Sequence, residues 1–159
     1  MEFQRIIRSD PEKIFIVIKN SYSTATMTAG QVAVWDWTTD INGVGVTFGL
    51  ATENVSNGMA VAGVIAETIA HNDYGLCQVY GYCASASVHS FTASGHVYHE
   101  SRGVVAAGTP LVGDITAASK SFAGITIAET AQVLYPTAFA LAAQASFTTK
   151  RIAVFIKAL

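Results

Sequence analysis

Short apolar runs rich in β-branched and aromatic residues, separated by Gly, Asn and Asp, set the pattern of this chain. The pattern is plainest from Val61 to Cys83. Val61-Ala-Gly-Val-Ile-Ala and Leu76-Cys-Gln-Val-Tyr-Gly-Tyr-Cys83 read as two strands, joined by a loop that needs special backbone angles at Asn72, Asp73 and Gly75. Shifted by 76 residues without a gap, Phe139-Ala-Leu-Ala falls under Gly63-Val-Ile-Ala, and Ile152-Ala-Val-Phe-Ile falls under Leu76-Cys-Gln-Val-Tyr. Such a period suggests two related β halves. Coincidence gives the same match, because short apolar strands resemble one another easily.

In chain order, residues 1–13 read as an arm of mixed charge, closed by the Asp10-Pro11 break. Ile14-Phe-Ile-Val-Ile18 is apolar on both faces and reads as a central strand rather than an edge. Gln31 to Trp37 alternates in part, with Val32 and Val34 on one side and Trp35 and Trp37 on the other. Asn42-Gly43 is a hairpin signal before Val44 to Phe48, and Asn57-Gly58 is a second one before the strand at Ala60. Leu76 to Val88 is the longest strand candidate. His89 to Gly103 reads as an exposed loop, Gly108-Thr-Pro as a turn before Leu111-Val112, and Ile115 to Gln132 as ambiguous between a short helix and a strand at Ile125-Thr-Ile127. A last pair of strands follows Pro136 and ends at Ile152 to Ile156. Regularly spaced short strands and no linker predict one all-β domain over residues 14–159, a sandwich or barrel.

Charge sharpens this picture. Of the 159 residues 51% are hydrophobic and only 13% charged, about half the usual charged share. Gly, Ser, Thr and Asn interrupt every apolar run before it reaches the ~18 residues of a membrane helix, and the charged first residues show no signal peptide. Surface covered by neighbours is the economical account of so few charges. Between Asn20 and Ser101 there are six acids and no Lys or Arg, while the two ends hold nine bases and five acids. No basic cluster exceeds Lys150-Arg151, which argues against nucleic acid as partner. The segregation favours complementarity between unlike protein faces, although chance in a weakly charged chain also produces it.

Chemistry is sparse. His96, His99 and Glu100 are metal-ligand types, but their spacing is not the helical pair of a zincin, and in a strand the two histidines face opposite sides. Gly43, Gly45 and Gly49 lack the following helix of a phosphate loop. Ser101-Arg102-Gly103, or Cys77 with a histidine, lacks a base in suitable spacing. Trp35, Trp37, Tyr80 and Tyr82 are sugar-stacking types, and equally core or interface residues. Cys77 and Cys83, six residues apart on one strand, lie roughly 20 Å apart, too far for a disulfide. The expectation is a protein with no catalytic site, no metal and no cofactor.

Several segments carry a likeness. Pro11 with Lys13-Ile-Phe-Ile-Val-Ile-Lys-Asn20, Ala29-Gly-Gln-Val-Ala-Val-Trp-Asp36 and Asn42-Gly43 belong to it. So do Gly63-Val-Ile-Ala-Glu67, Asp73-Tyr-Gly75, Gln78-Val-Tyr-Gly81, Ala107-Gly-Thr-Pro-Leu111 and Val154-Phe-Ile-Lys-Ala-Leu159. In this order they resemble the head decoration, or cement, proteins of tailed bacteriophages. The resemblance implies a small β-rich, β-tulip-like domain on the outside of an icosahedral head. It further implies a homotrimer bound to the major capsid protein, made in the host cytoplasm, with neither nucleic acid nor membrane as partner. Phe3, Arg5, Ile6, Ile7 and Arg8 of the arm are the expected capsid contacts, adding a strand to a partner sheet. The chain is longer than the lambda-type members and its acidic middle has no counterpart in them, so a tail or fibre-base location stays open. A carbohydrate-binding sandwich is the rival reading.

Overall fold

The computed structural model describes residues 12–23, 25–36, 40, 43–48, 60–89, 105–113, 120–124, 136–144 and 148–158. Among them there is no helix. Nine strands form one sheet: β1 (Lys13–Asn20), β2 (Val32–Trp35), β3 (Gly45–Thr47), β4 (Val61–Ile65), β5 (Tyr74–His89), β6 (Pro110–Gly113), β7 (Phe122–Gly124), β8 (Ala138–Ala140) and β9 (Lys150–Lys157). The order is β1-β3-β2-β4-β5-β7-β6-β8-β9, and two further pairings, β1 with β5 and β5 with β9, close it on itself twice. The result is two five-stranded barrels that share β5, a strand of 16 residues. Closure removes most of the sheet edges that would otherwise be open to foreign strands.

The two barrels repeat one plan. Each has one parallel pairing, β1 with β3 and β5 with β7, and four antiparallel ones in the same sequence around the ring. The register repeats as well. Val64 pairs with Gln78, and 76 residues on Ala140 pairs with Val154. Trp35 pairs with Val46, and 77 residues on Val112 pairs with Ala123. The lone bridge Met27 to Ile69 has its counterpart in Val105 to Gln144. The 76-residue period in the sequence therefore marks two halves of one design, with the second half of β5 standing where β1 stands in the first.

The cores follow from this sharing. Ile18, Met27, Ala33, Val46, Phe48, Ala62, Ile65, Ile69 and Cys77 fill the first barrel. Leu111, Phe122, Ala138, Ala140, Ile152, Val154 and Ile156 fill the second, joined by Val32, Val61 and Val64 from the first. Strand β4 thus packs into both cores, which explains why all five residues of Val-Ala-Gly-Val-Ile are buried. Hairpin punctuation is where it was expected at Gly43, with φ 74°. Asn72 also carries a positive φ, 67°. Gly75 instead lies inside β5, and a Cβ there would come within 2.6 Å of Ile69. Close packing, not backbone angle, demands that glycine. The ambiguous stretch holds a strand at Phe122–Gly124, and residues 125–135 lie outside the described set, as do Asn57-Gly58 and residues 90–104.

One reading needs correction. The apolar run Ile14 to Ile18 is not a central strand. Strand β1 begins at Lys13 and pairs with β5 from Lys13 to Lys19, but with β3 only at Lys19 and Asn20. Among the described residues, its second edge from Lys13 to Ile18 has no partner strand. Phe15 and Val17 are exposed, so no second layer covers them.

Candidate interaction surface

Strand β5 crosses from one barrel to the other, and the side of it that faces outward in the first barrel turns inward in the second. The register sets Val17 beside Leu76 and Lys19 beside Tyr74. Phe15 precedes Val17 by two, so it shares their side. These four large residues are exposed: Phe15 at 43%, Val17 at 61%, Tyr74 at 64% and Leu76 at 41%. Two strands thus present a strip of aromatic and branched side chains to solvent, and among the described residues Ile14, Val44 and Leu141 are exposed elsewhere. Alternation along β1 places Lys13, Phe15, Val17 and Lys19 on one side, so a lysine stands at each end of the strip. Glu12 precedes Lys13, Asp73 precedes Tyr74, and Glu67 Oε1 accepts the Leu76 N–H at 2.8 Å.

A glycine and a glutamine hold this crossing together. The Gln78 side chain is buried, and its Nε2 donates to the Tyr80 carbonyl at 3.1 Å and the Tyr82 carbonyl at 3.0 Å. Gly81 has φ 96°, and a Cβ on it would overlap the Glu12 carbonyl at the start of β1. Only glycine lets β1 approach β5 so closely. Neither residue was singled out by sequence reasoning, although both stand within the Gln78 to Gly81 segment that carries the family likeness. On the far barrel, Tyr80 meets Phe155 edge to face at 5.3 Å, and Lys13 Nζ lies 6.0 Å from the Tyr82 ring.

The other candidates separate clearly. Cys77 is buried and desolvation pushes its thiol up to about 12, which removes it as a thiolate nucleophile. Cys83 is also free and half-buried. Trp35 packs against the first core, and Tyr22 meets Phe48 edge to face at 4.8 Å, so these aromatics serve packing. No group of three or more His, Cys, Asp and Glu could hold a metal among the described residues. No helix among them is long and apolar enough to cross a membrane. Trp37, His96, His99, Glu100, Ser101, Arg102 and the arm contacts Phe3, Arg5, Ile6, Ile7 and Arg8 lie outside the described residues.

No protein-family model matches the chain, and no curated protein matches it. Among solved structures, the head fibre gp8.5 N base of bacteriophage phi29 is similar at a TM-score of 0.47 and 10% sequence identity, over 91% of this chain and 94% of that one.

Proposed function

We propose that the protein is a non-enzymatic structural component of a tailed-phage virion, a decoration protein that binds the outer surface of the icosahedral head and stabilises it. The observation that carries this reading is the exposed strip of Phe15, Val17, Tyr74 and Leu76 on an otherwise closed double barrel. Apolar surface of this kind marks a protein that works against another protein. The family likeness of the sequence supplies the partner, the major capsid protein. Working copies are homotrimers on the shell, and the arm contacts Phe3, Arg5, Ile6, Ile7 and Arg8 add to the attachment. Neither nucleic acid, membrane nor cofactor has a part in it.

The test is binding of the full chain to head shells that lack it. Saturable co-sedimentation and a raised shell melting temperature are expected, and deletion of residues 1–10 should weaken binding while leaving the barrels folded. Absence of saturable binding would overturn the reading. Density for single, unassociated copies on the shell would overturn the trimer.

A further inference from the structure

The two barrels meet through a turn of the first, and the second barrel carries the counterpart of that turn. Thr28 to Gln31 follow the bridge from Met27 to Ile69, and Ala106 to Thr109 follow the matching bridge from Val105 to Gln144. Each turn closes with the same hydrogen bond: Gln31 N–H donates to the Thr28 carbonyl at 3.2 Å, and Thr109 N–H to the Ala106 carbonyl at 3.1 Å. Each holds a glycine at nearly the same φ, 84° at Gly30 and 87° at Gly108. Their surroundings differ. Gly30 is buried against the second barrel, where its carbonyl accepts the Ser87 N–H at 2.8 Å. A Cβ on it would come within 2.6 Å of both the Ser85 carbonyl and the Arg151 guanidinium. Gly108 is exposed, with nothing within 4 Å of where its Cβ would stand. The turn that docks in the first barrel has no dock in the second among the described residues.

The surface that receives Gly30 also has a counterpart. Ser87 lies between the core residues Ala86 and Val88 and stands opposite Arg151. In the first barrel Lys19 lies between the buried Ile18 and Asn20 and stands opposite Tyr74, so Val17 falls where Ser85 falls in the second. The exposed strip of Val17, Tyr74 and Leu76 is thus the first barrel's version of the dock that Gly30 fills. Polarity matches on both sides. The docked turn carries Thr28 and Gln31 and sits against Ser85, Ser87 and Arg151, whereas the exposed turn carries Ala106 and Ala107 and the exposed dock is apolar. One difference is compensated as well. Across the docked junction Val32 N–H donates to the Lys120 carbonyl at 2.9 Å. Val44, two residues before the core residue Val46 as Lys120 is before Phe122, already accepts the Lys19 N–H at 2.8 Å. The residue after the exposed turn is Pro110, which has no N–H to place. A second turn therefore lies on this edge without entering between β1 and β3. The step that carries one barrel into the next sets turn and dock on opposite flanks, so a contact between copies runs head to tail and closes into a ring. Resting on the homotrimer of the proposed function, we infer that the Ala106–Thr109 turn of each copy docks on the Val17–Tyr74–Leu76 strip of the next. Three copies then close a ring of six barrels, with the strip as its seam and the arm left to face the shell.

The experiment uses two full-length variants, Val17→Cys and Ala107→Cys, each in a Cys83→Ala background, and a short bis-maleimide. Both positions are exposed, and Cys77 is buried. Cross-linking is read in concentrated solution and on saturated head shells. The two variants mixed should link to each other and neither to itself, because a turn meets a strip and not another turn. The chain that carries both substitutions should give a ladder that stops at the covalent trimer. Tyr74→Ser should weaken association about 10-fold in sedimentation while the barrels stay folded. Absence of the mixed cross-link in both settings overturns the inference. So do self-links of Val17→Cys, which would show a two-fold contact through the strips, and a ladder that runs past three. A Val17→Cys thiol that is masked in dilute protein and freed by deleting residues 1–10 overturns it too, since the chain's own arm would then hold the strip. Shell binding is scored apart. Cross-linked trimers that fail to sediment with shells keep this contact and lose the virion reading, whereas saturated shells without the mixed cross-link keep that reading and lose this contact.

Discussion

Gln78 shows how much one polar side chain can hold in place. Buried amides must find partners, and its Nε2 finds two carbonyls of its own strand where β5 passes from one barrel to the next. Gln78→Leu keeps much of the volume and leaves the Tyr80 and Tyr82 carbonyls without that donor. A loss of about 1–3 kcal/mol is expected, read as a lower urea midpoint with unchanged slope. Cys77 gives a pH signature. Its thiol is raised from 9.0 to about 12 in the fold by desolvation, so the unfolded chain releases that proton first as pH rises. The stability it contributes is full below pH 9 and is lost as pH climbs toward 12. Alkaline unfolding should therefore be shallower in Cys77→Ala, and the native protein should leave this thiol unreacted toward a disulfide reagent until denaturant is added.

At the scale of elements, the sequence tells strands from loops better than it tells their surroundings. Strand β5 was legible from Leu76 to Val88, but its start at Tyr74 and Gly75 read as part of the preceding loop. Strand β4 was legible as a strand, but its packing into two cores was not, since an unbroken apolar run fits any doubly covered strand. Strand β1 misled for the same reason. Ile14 to Ile18 looks covered on both sides, and the difference between a buried face and an exposed apolar face is not a difference of residue type. The family likeness spans the Gln78 to Gly81 segment, yet the geometric role of each residue there depends on β1 and lies far away in sequence.

The whole molecule should behave as one unit although it is built as two. Strand β5 belongs to both barrels, and Val32, Val61 and Val64 carry the first barrel's strands into the second core. Ile65→Ala in the first core and Ile156→Ala in the second should each cost about 2–5 kcal/mol. Both should lower the same single unfolding transition, in calorimetry and in denaturant alike. Two separated transitions in either variant would show that the halves melt independently. The shared strand has a geometric outcome too. Lys13, at the start of β1, pairs with Gly81, and Lys157, at the close of β9, pairs with the adjacent Tyr80. The two strands flank β5 from opposite edges, so these positions lie two strand spacings apart, about 10 Å. The path is thus almost a ring, and a passenger fused before β1 or after β9 would be tethered to the same spot on the molecule.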